Sequence, residues 1–345
     1  MNSLTYALSY DDVLLVPQKS DIRSRTEISL ATDLGKGLQL EVPIFSAPMD
    51  TVTTDIMAAS LGSLGASGVI HRYNTATQQA ALVQSAREKS LLQGTPLGAA
   101  IGVTAENLDR AYALLEAGAT FLCIDVAHGH HILTKEMLQK LRKNVGEDIH
   151  IMAGNVATLE GVNALADWGA DSVRCNIGGG SICSTRIQTG HGVPGLQTIF
   201  DCAKTDRDVA IIADGGIRNS GDIVKALAAG ADAVMCGSMF AGTSETPGDV
   251  HRDREGASWK VYRGMASREA QTDWKGSYSS LEGVATTVPF GGFVADVVED
   301  LERGIRSGLS YSGARTIEEL QALAVFINQT GAGLTEGRPH ILARH

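Results

Sequence analysis

A single cysteine in the stretch NIGGGSICSTRIQTGHGVP, residues 176–194, is the first candidate for chemistry. Cys183 follows three glycines and a serine, and a polar run with two more glycines comes after it. Glycines let a backbone take positive φ and approach a ligand closely. A thiol on such a loop becomes a strong nucleophile once its pKa falls, and Arg186 or a helix N-terminus beside it would lower it. The competing reading is a buried thiol beside a turn, the usual state of a lone cysteine. Ser181, Ser184 and Thr185 favour an exposed polar loop. Cys123, Cys175 and Cys236 lie inside apolar runs and Cys202 lies on a helical pattern, so these four read as structural. The absence of a CxxC pair argues against a zinc site.

Two further segments, DGGIR (214–218) and GSMF (237–240), have the pattern of an anion site. Backbone N–H groups at such turns, with a short helix N-terminus, cradle a phosphate. Asp214 would repel a phosphate, so its carboxylate suits the hydroxyls of a sugar. Phosphate beside ribose points to a nucleotide; tight turns without a ligand are the alternative. His128, His130 and His131 in DVAHGHH have no carboxylate at ligand spacing, which is a weak metal signal. Asp125 in the same segment is the better candidate, as a cofactor contact or part of a proton relay.

These residues fall at the ends of short, β-branched apolar runs. Strands are predicted at 42–47, 66–71, 96–102, 120–127, 148–154, 171–177, 209–216 and 232–238. Helical segments separate them, such as 105–119, 159–170 and 221–231, where apolar positions recur at i, i+3 and i+4. Three of these helices end in EAGAT, DWGAD or AAGAD, with glycine at the left-handed position after the helix. One βα unit used eight times predicts a closed (β/α)8 TIM barrel, a single catalytic domain over 1–345, rather than an open doubly wound sheet. Active residues of a barrel lie at the C-terminal ends of its strands. SAPMD, HR, DVAHGHH, GNVAT, GGGSICSTR, DGGIR and GSMFAG all fall there. The segment 253–292 is polar, rich in Gly and Ser, and holds Trp259 and Trp274. It reads as a mobile flap after the eighth strand, with a disordered loop as the alternative; either tryptophan could cover one end of a cofactor, but packing is the role expected of both. A C-terminal tail covers about 325–345.

An apolar fraction of 43% and a charged fraction of 20% fit a soluble globular protein. The net charge of −10 argues against general affinity for nucleic acid. No run reaches the about 18 apolar residues of a membrane span, so no membrane partner is expected. The odd cysteine count and a start without a basic n-region suggest a reducing, cytoplasmic setting.

SYDDVLLVP (9–17), SAPMDTVT (46–53), GGGSICSTR (178–186), DGGIR (214–218), YRGMAS (262–267) and GAGLTEG (331–337), in that order, resemble the IMP dehydrogenase/GMP reductase family. The resemblance covers most of the chain. It implies a purine mononucleotide substrate, a nicotinamide cofactor and a covalent adduct between Cys183 and purine C2. Thr185 matches the threonine that handles the leaving group or water. Ser46, Met49, Ser181, Asp214 and Gly216 match nucleotide-binding positions. So do Gly237, Ser238, Tyr262, Gly264 and Met265. Asp125, Val126, Ala127, Asn155 and Arg174 match the cofactor side. Carbonyls of Gly178, Gly180 and Cys183 would hold K+, with Glu336 reaching the ion from a neighbour in a homotetramer.

The two halves of the family run this chemistry in different directions. A GMP reductase expels ammonia and takes hydride from NADPH. An IMP dehydrogenase passes hydride to NAD and hydrolyses its adduct, which needs a general base for water. The resemblance implies an adjacent Arg-Tyr pair for that base on a dehydrogenase flap. Residues 266–284 hold Arg268 and Tyr278 but no such pair. Glu282 stands in EGV as the acid for departing ammonia, a role that needs burial to hold its proton. These features favour NADPH-dependent reductive deamination of GMP to IMP. SAPMDTVT, DVAHGH and GAGLTEGRPH lean toward the dehydrogenases, whose regulatory CBS pair is absent here. The alternatives are an IMP dehydrogenase without that module, a divergent purine nucleotide oxidoreductase, and a silent nucleotide-binding relative. The Cys loop argues against the last. No GxGxxG fingerprint is present, so the cofactor would lie extended across the barrel mouth.

Overall fold

Eight parallel strands pair in a closed ring. They are β1 (Ile44–Ser46), β2 (Ser67–Ile70), β3 (Gly98–Ile101), β4 (Phe121–Asp125), β5 (His150–Val156), β6 (Ser172–Cys175), β7 (Ala210–Asp214) and β8 (Ala233–Cys236). The ring closes where Val234, Met235 and Cys236 pair with Ile44, Phe45 and Ser46. Each predicted run contains or overlaps one of these strands, so the (β/α)8 barrel stands. The computed structural model describes residues 4–279 and 281–339.

The helices in chain order are α1 (Asp55–Ser63), α2 (Ala76–Lys89), α3 (Asn107–Glu116), α4 (Ile132–Val145), α5 (Leu159–Asp167), α6 (Thr185–Thr189), α7 (Gly195–Cys202), α8 (Ser220–Ala228), α9 (Arg268–Lys275), α10 (Val294–Ser312), α11 (Ile317–Leu323) and α12 (Gly331–Glu336). Of these, α6 belongs to the loop after β6 and α9 to the excursion after β8. The repeated tripeptide before a strand has a structural job. Gly118, Gly169 and Gly230 take φ of +107°, +112° and +108°, a turn only glycine enters freely. Two residues on, a side chain caps the start of the preceding strand. Thr120 Oγ1 accepts from Leu97 N (2.9 Å), Asp171 Oδ2 from Ile151 N (2.7 Å) and Asp232 Oδ2 from Ile211 N (2.7 Å). The repeat therefore stitches each unit to its predecessor.

Inside the ring, Phe45, Val69, Phe121, Met152, Ile212 and Met235 form one buried cluster. Leu34, Leu38 and Leu40, carried by the hairpin Thr32–Asp33/Gln39–Leu40, belong to the same cluster and seal the N-terminal end. A larger apolar layer fills the space between strands and helices. The C-terminal mouth of the ring stays open.

The excursion differs from the disordered alternative. It forms an antiparallel sheet of β9 (His251–Arg252), β10 (Ser258–Arg263) and β11 (Ala285–Pro289), with α9 between the last two. The pairing of β10 with β11 joins residues some 25 positions apart, which local composition does not reveal. Lys260 anchors this sheet: it is 2% exposed, and its Nζ donates to Thr243 O (3.1 Å) and Thr246 O (2.6 Å). Trp259 stacks on His251 at 4.2 Å. In the tail, Phe326–Asn328 pairs with Val13–Leu15, and 340–345 lie outside the described residues. Among the described residues no helix is long and apolar enough to cross a membrane.

Burial raises the carboxyl of Asp232 from 3.8 to about 6, against the hydrogen bond from Ile211 N that lowers it. The folded chain keeps a proton that the unfolded chain releases, so stability falls as pH rises between those two values and stays lower above them. Asp232→Asn keeps an acceptor for Ile211 N and removes the charge. It is expected to raise the melting temperature by about 2 °C at pH 7.5 and by nothing at pH 3.5, read by calorimetry.

Candidate active site

Arg174 on β6 organises the mouth. It is 5% exposed, and its Nη1 donates to Asp125 Oδ1 at the end of β4 (2.8 Å). Its Nη2 and Nε donate to Asp214 Oδ2 at the end of β7 (2.8 and 3.1 Å). Asn155 Nδ2, on β5, donates to the same Oδ2 (2.7 Å). Arg72 Nε lies 3.4 Å from Asp125 Oδ2, and Tyr73 Oη donates to that oxygen at 3.5 Å. Burial pushes the Asp125 carboxyl up, but Arg174 and Arg72 outweigh it and hold the group below its ordinary value. Nothing among the described residues donates to Asp214 Oδ1, so one acceptor atom remains for a ligand.

Cys183 lies on the loop between β6 and α6. Its backbone N–H donates to Gly180 O (3.1 Å), and its Sγ donates to Thr185 Oγ1 (3.1 Å). Of the five cysteines it alone is not buried. Burial pushes the Cys123 thiol up to about 11 and drives Cys175 and Cys236 higher still, which leaves them inert.

The return arm of the excursion is laced to this loop. Ser184 N donates to Glu282 O (2.9 Å), and Val284 N donates to Ile182 O (3.0 Å). Ser184 Oγ donates to Leu281 O (2.9 Å), and Gly264 N to Val284 O (3.0 Å). A side chain at Gly283 would sit 3.0 Å from Ser267 N and 3.3 Å from Gly264 Cα, so the strands approach this closely only with glycine there. The lacing sets Glu282 into the same cleft, of about 310 Å³, as Cys183 and Thr185.

The same cleft is lined by Met49, Asp125, Val126, Ala127, Asn155 and Arg174. Gly178, Gly180, Asp214, Tyr262, Gly264 and Met265 line it too. Ser181, Gly216 and Ser238 line an adjoining lobe of about 300 Å³. Asn176 and Gly179 form a floor common to both lobes. Gly237 packs beneath: a Cβ there would lie 2.8 Å from Tyr262 Oη and 3.2 Å from Met49 Sδ.

Two further predicted positions line neither lobe, Ser46 and Glu336, the second of which was expected to reach a neighbouring subunit's site. Phe45 and Ala47 point into the barrel, so the period-two alternation of a strand turns Ser46 outward. Its buried hydroxyl accepts from Thr53 Oγ1 (2.8 Å), and Ala47 takes the place at the cleft expected of Ser46. Glu336 is exposed at the end of the short helix Gly331–Glu336 and lines neither lobe. Arg72, Tyr73 and Asn176 are cleft residues that the sequence reading did not assign. The position of Arg72 after the second strand was a usable signal, as was that of Asn176 at the head of the glycine-rich stretch; the buried Oδ1 of Asn176 has no partner among the described residues. His131 caps α4 by accepting from Leu133 N, and among the described residues no group of three metal-ligating side chains converges.

The family model described as "IMP dehydrogenase / GMP reductase domain" matches residues 7–340. An inosine-5′-monophosphate dehydrogenase of Nitrosopumilus maritimus is 34% identical over 96% of this chain and 98% of that protein. A GMP reductase of Leishmania major is 31% identical over 99% of this chain and 98% of its own length. The two alignments run over 467 and 484 positions, more than this chain's 345 residues, so both relatives carry segments with no counterpart here. A crystal structure of a cysteine-to-alanine variant of Trypanosoma brucei GMP reductase, in complex with guanosine 5′-monophosphate, superposes with a TM-score of 0.93. That pair is 30% identical, and 98% of each chain is covered. A closed barrel with its chemistry-bearing residues gathered at one mouth is an α/β-barrel enzyme. The chain belongs to the IMP dehydrogenase/GMP reductase family of purine nucleotide oxidoreductases.

Removing Arg174 leaves two carboxylates buried without their cation. Arg174→Met is expected to cost about 3–5 kcal/mol in urea denaturation. Adding Asp125→Asn and Asp214→Asn should recover part of that loss, because neutral amides are cheaper to bury.

Proposed function

We propose that this chain catalyses the reductive deamination of GMP to IMP, with NADPH as hydride donor and Cys183 as covalent nucleophile. The observation that carries the reading is Glu282, held in the cleft beside Cys183 and Thr185 by the Ser184 N–Glu282 O bond. The flap offers an acid there and no adjacent Arg-Tyr pair to activate water. The likeness to a GMP-bound reductase supports the same direction.

In this reading the Cys183 thiolate attacks C2 of the purine. The C2–N bond then breaks, and Glu282 gives its proton to the departing ammonia, with Thr185 Oγ1 hydrogen-bonding at the reacting centre. When bound, the reduced nicotinamide supplies hydride to C2. The C2–S bond breaks last, the thiolate returns, and IMP is released. Asp214 Oδ1 accepts from the ribose. The N–H groups of Gly216 and Ser238 donate to no protein acceptor among the described residues and suit the phosphate. For K+, the carbonyls of Gly178 and Cys183 accept no hydrogen bond among the described residues, while Gly180 O accepts from Cys183 N. These are the oxygen ligands a hard cation takes. The set is incomplete in one chain, and Glu336 of a neighbour in a homotetramer would complete it.

The opposite direction, IMP oxidation with NAD, is the second reading, favoured by the 34% identity to the Nitrosopumilus dehydrogenase. Nicotinamide absorbance in K+ buffer separates them. Loss of NADPH with GMP is expected; appearance of NADH with IMP would overturn the proposal. Glu282→Gln is expected to lower kcat by about 10²–10⁴. Iodoacetamide labelling of Cys183, and its protection by GMP, should be unchanged.

A further inference from the structure

One side chain lies in the floor between the two lobes with an acceptor unused. Asn176, the residue after β6, is 4% exposed and takes a φ of +156°, one of two non-glycine residues with positive φ among the described residues. A side chain rarely accepts that backbone, whereas glycine takes it freely. The backbone of Asn176 is fixed on both sides. Its N–H donates to Val156 O (2.8 Å), and its carbonyl accepts from Asn155 Nδ2 (3.1 Å), the same atom that holds Asp214. The buried amide donates through Nδ2 to Gly215 O (3.3 Å), while its Oδ1 has no partner among the described residues. A buried acceptor left unpaired is costly, and native proteins keep few of them without a use.

The amide packs against two loops at once. A Cβ on Gly179 would lie 2.1 Å from Asn176 Nδ2 and 2.6 Å from its Oδ1, so the Cys183 loop passes this close only with glycine there. Cβ atoms on Gly215 and Gly216 would lie 3.4 Å from Gly180 Cα and 3.0 Å from Gly179 O, so the same stretch of the loop rests on the turn after β7. From Gly180 the contact continues to the nucleophile, since Gly180 O accepts from Cys183 N (3.1 Å). The N–H groups of Gly179 and Gly180 donate to no acceptor among the described residues. Unpaired donors and an unpaired acceptor thus adjoin where the anion lobe, with Gly216, meets the Cys183 cleft.

We propose that Asn176 is a positioning residue that couples occupancy of the anion lobe to the placement of Cys183. A phosphate seated on Gly216 moves the Gly179–Gly180 stretch onto Asn176 Oδ1, which then accepts one of its N–H groups. The proposal rests on the phosphate reading of that lobe and not on the direction of the redox chemistry. Asn176 touches no reacting atom and acts through Gly179. The ligand class that operates it is a phosphate monoester, so a nucleoside leaves the loop unset.

Amide hydrogen exchange, resolved by residue, reads this without turnover. The probe is ribose 5-phosphate, which carries the phosphate and the sugar but no base. In the wild type it should slow exchange at Gly216 and Ser238, and at Gly179 or Gly180 by about tenfold, the effect of one hydrogen bond. Asn176→Gly removes the amide and suits the backbone, so it should fold. It should keep the slowing at Gly216 and Ser238 and lose it at Gly179 and Gly180. With GMP it should lower kcat about tenfold and leave KM within about twofold, because binding of the phosphate no longer sets the nucleophile. Gly179→Ala supplies the reverse test. Its methyl meets the Asn176 amide and should displace the loop, lowering kcat by up to about 10²-fold; adding Asn176→Gly should restore most of that loss. No slowing at Gly179 or Gly180 in the wild type, slowing there that survives Asn176→Gly, or a Gly179→Ala loss that Asn176→Gly does not relieve overturns the proposal. The expected exchange pattern without GMP turnover would strike the reaction assigned above while supporting the coupling.

Discussion

The geometry of the mouth depends on one buried cation. Arg174 reaches from β6 into the mouth and holds Asp125 of β4 and Asp214 of β7 at 2.8 Å each. Taking three charges out of water is expensive, and their mutual attraction repays it only when the geometry is good and the remaining donors are satisfied. Here the guanidinium is engaged at Nε, Nη1 and Nη2, and Arg72 and Asn155 share the carboxylates. The network gives rigid placement more than stability. It points Asp214 Oδ1 and the face of the Asp125 segment at a fixed place above the apolar barrel interior. Preorganised charge of this kind needs no rearrangement when a reaction develops charge beside it.

The proposed reaction adds a second constraint, covalent chemistry on a loop. Loops are mobile unless something holds them, and a nucleophile must meet its target within a fraction of an ångström. The Cys183 loop is held by the flap's return arm through three hydrogen bonds at Ser184 and Ile182. The same bonds place Glu282. Cys183 and Glu282 are therefore positioned by one short antiparallel contact, and breaking it would release both together. Lys260 ties the other end of the flap sheet to the Thr243–Thr246 segment.

The barrel itself was largely legible. Eight apolar runs, and glycine at the turn before three of them, follow from local rules: strand period, helix period and the left-handed turn residue. The roles of Cys123, Cys175, Cys202 and Cys236 followed from their place in those runs. The cleft's glycine-rich loops were legible for the same reason, since backbone close to a ligand leaves its mark in composition. The face that Ser46 takes was not legible, because a shift of one residue along a strand reverses it, and motif likeness does not resolve that. The sheet in the excursion was missed because the pairing of β10 with β11 is long-range.

What the sequence alone determined is thus the set of parts: a repeated βα unit, strand-end residues of the right chemical types, and one cysteine in polar company. Each is written in spacings of a few residues, where sterics and burial act locally. What only the tertiary structure decided is which parts meet. Arg174 with Asp125 and Asp214, Ser184 with Glu282, and Tyr73 with Trp274 are separated by 40 to 201 positions and are joined by the closing of the barrel and the folding of the flap over it. Such contacts arise from the packing of whole elements, and no local pattern encodes them.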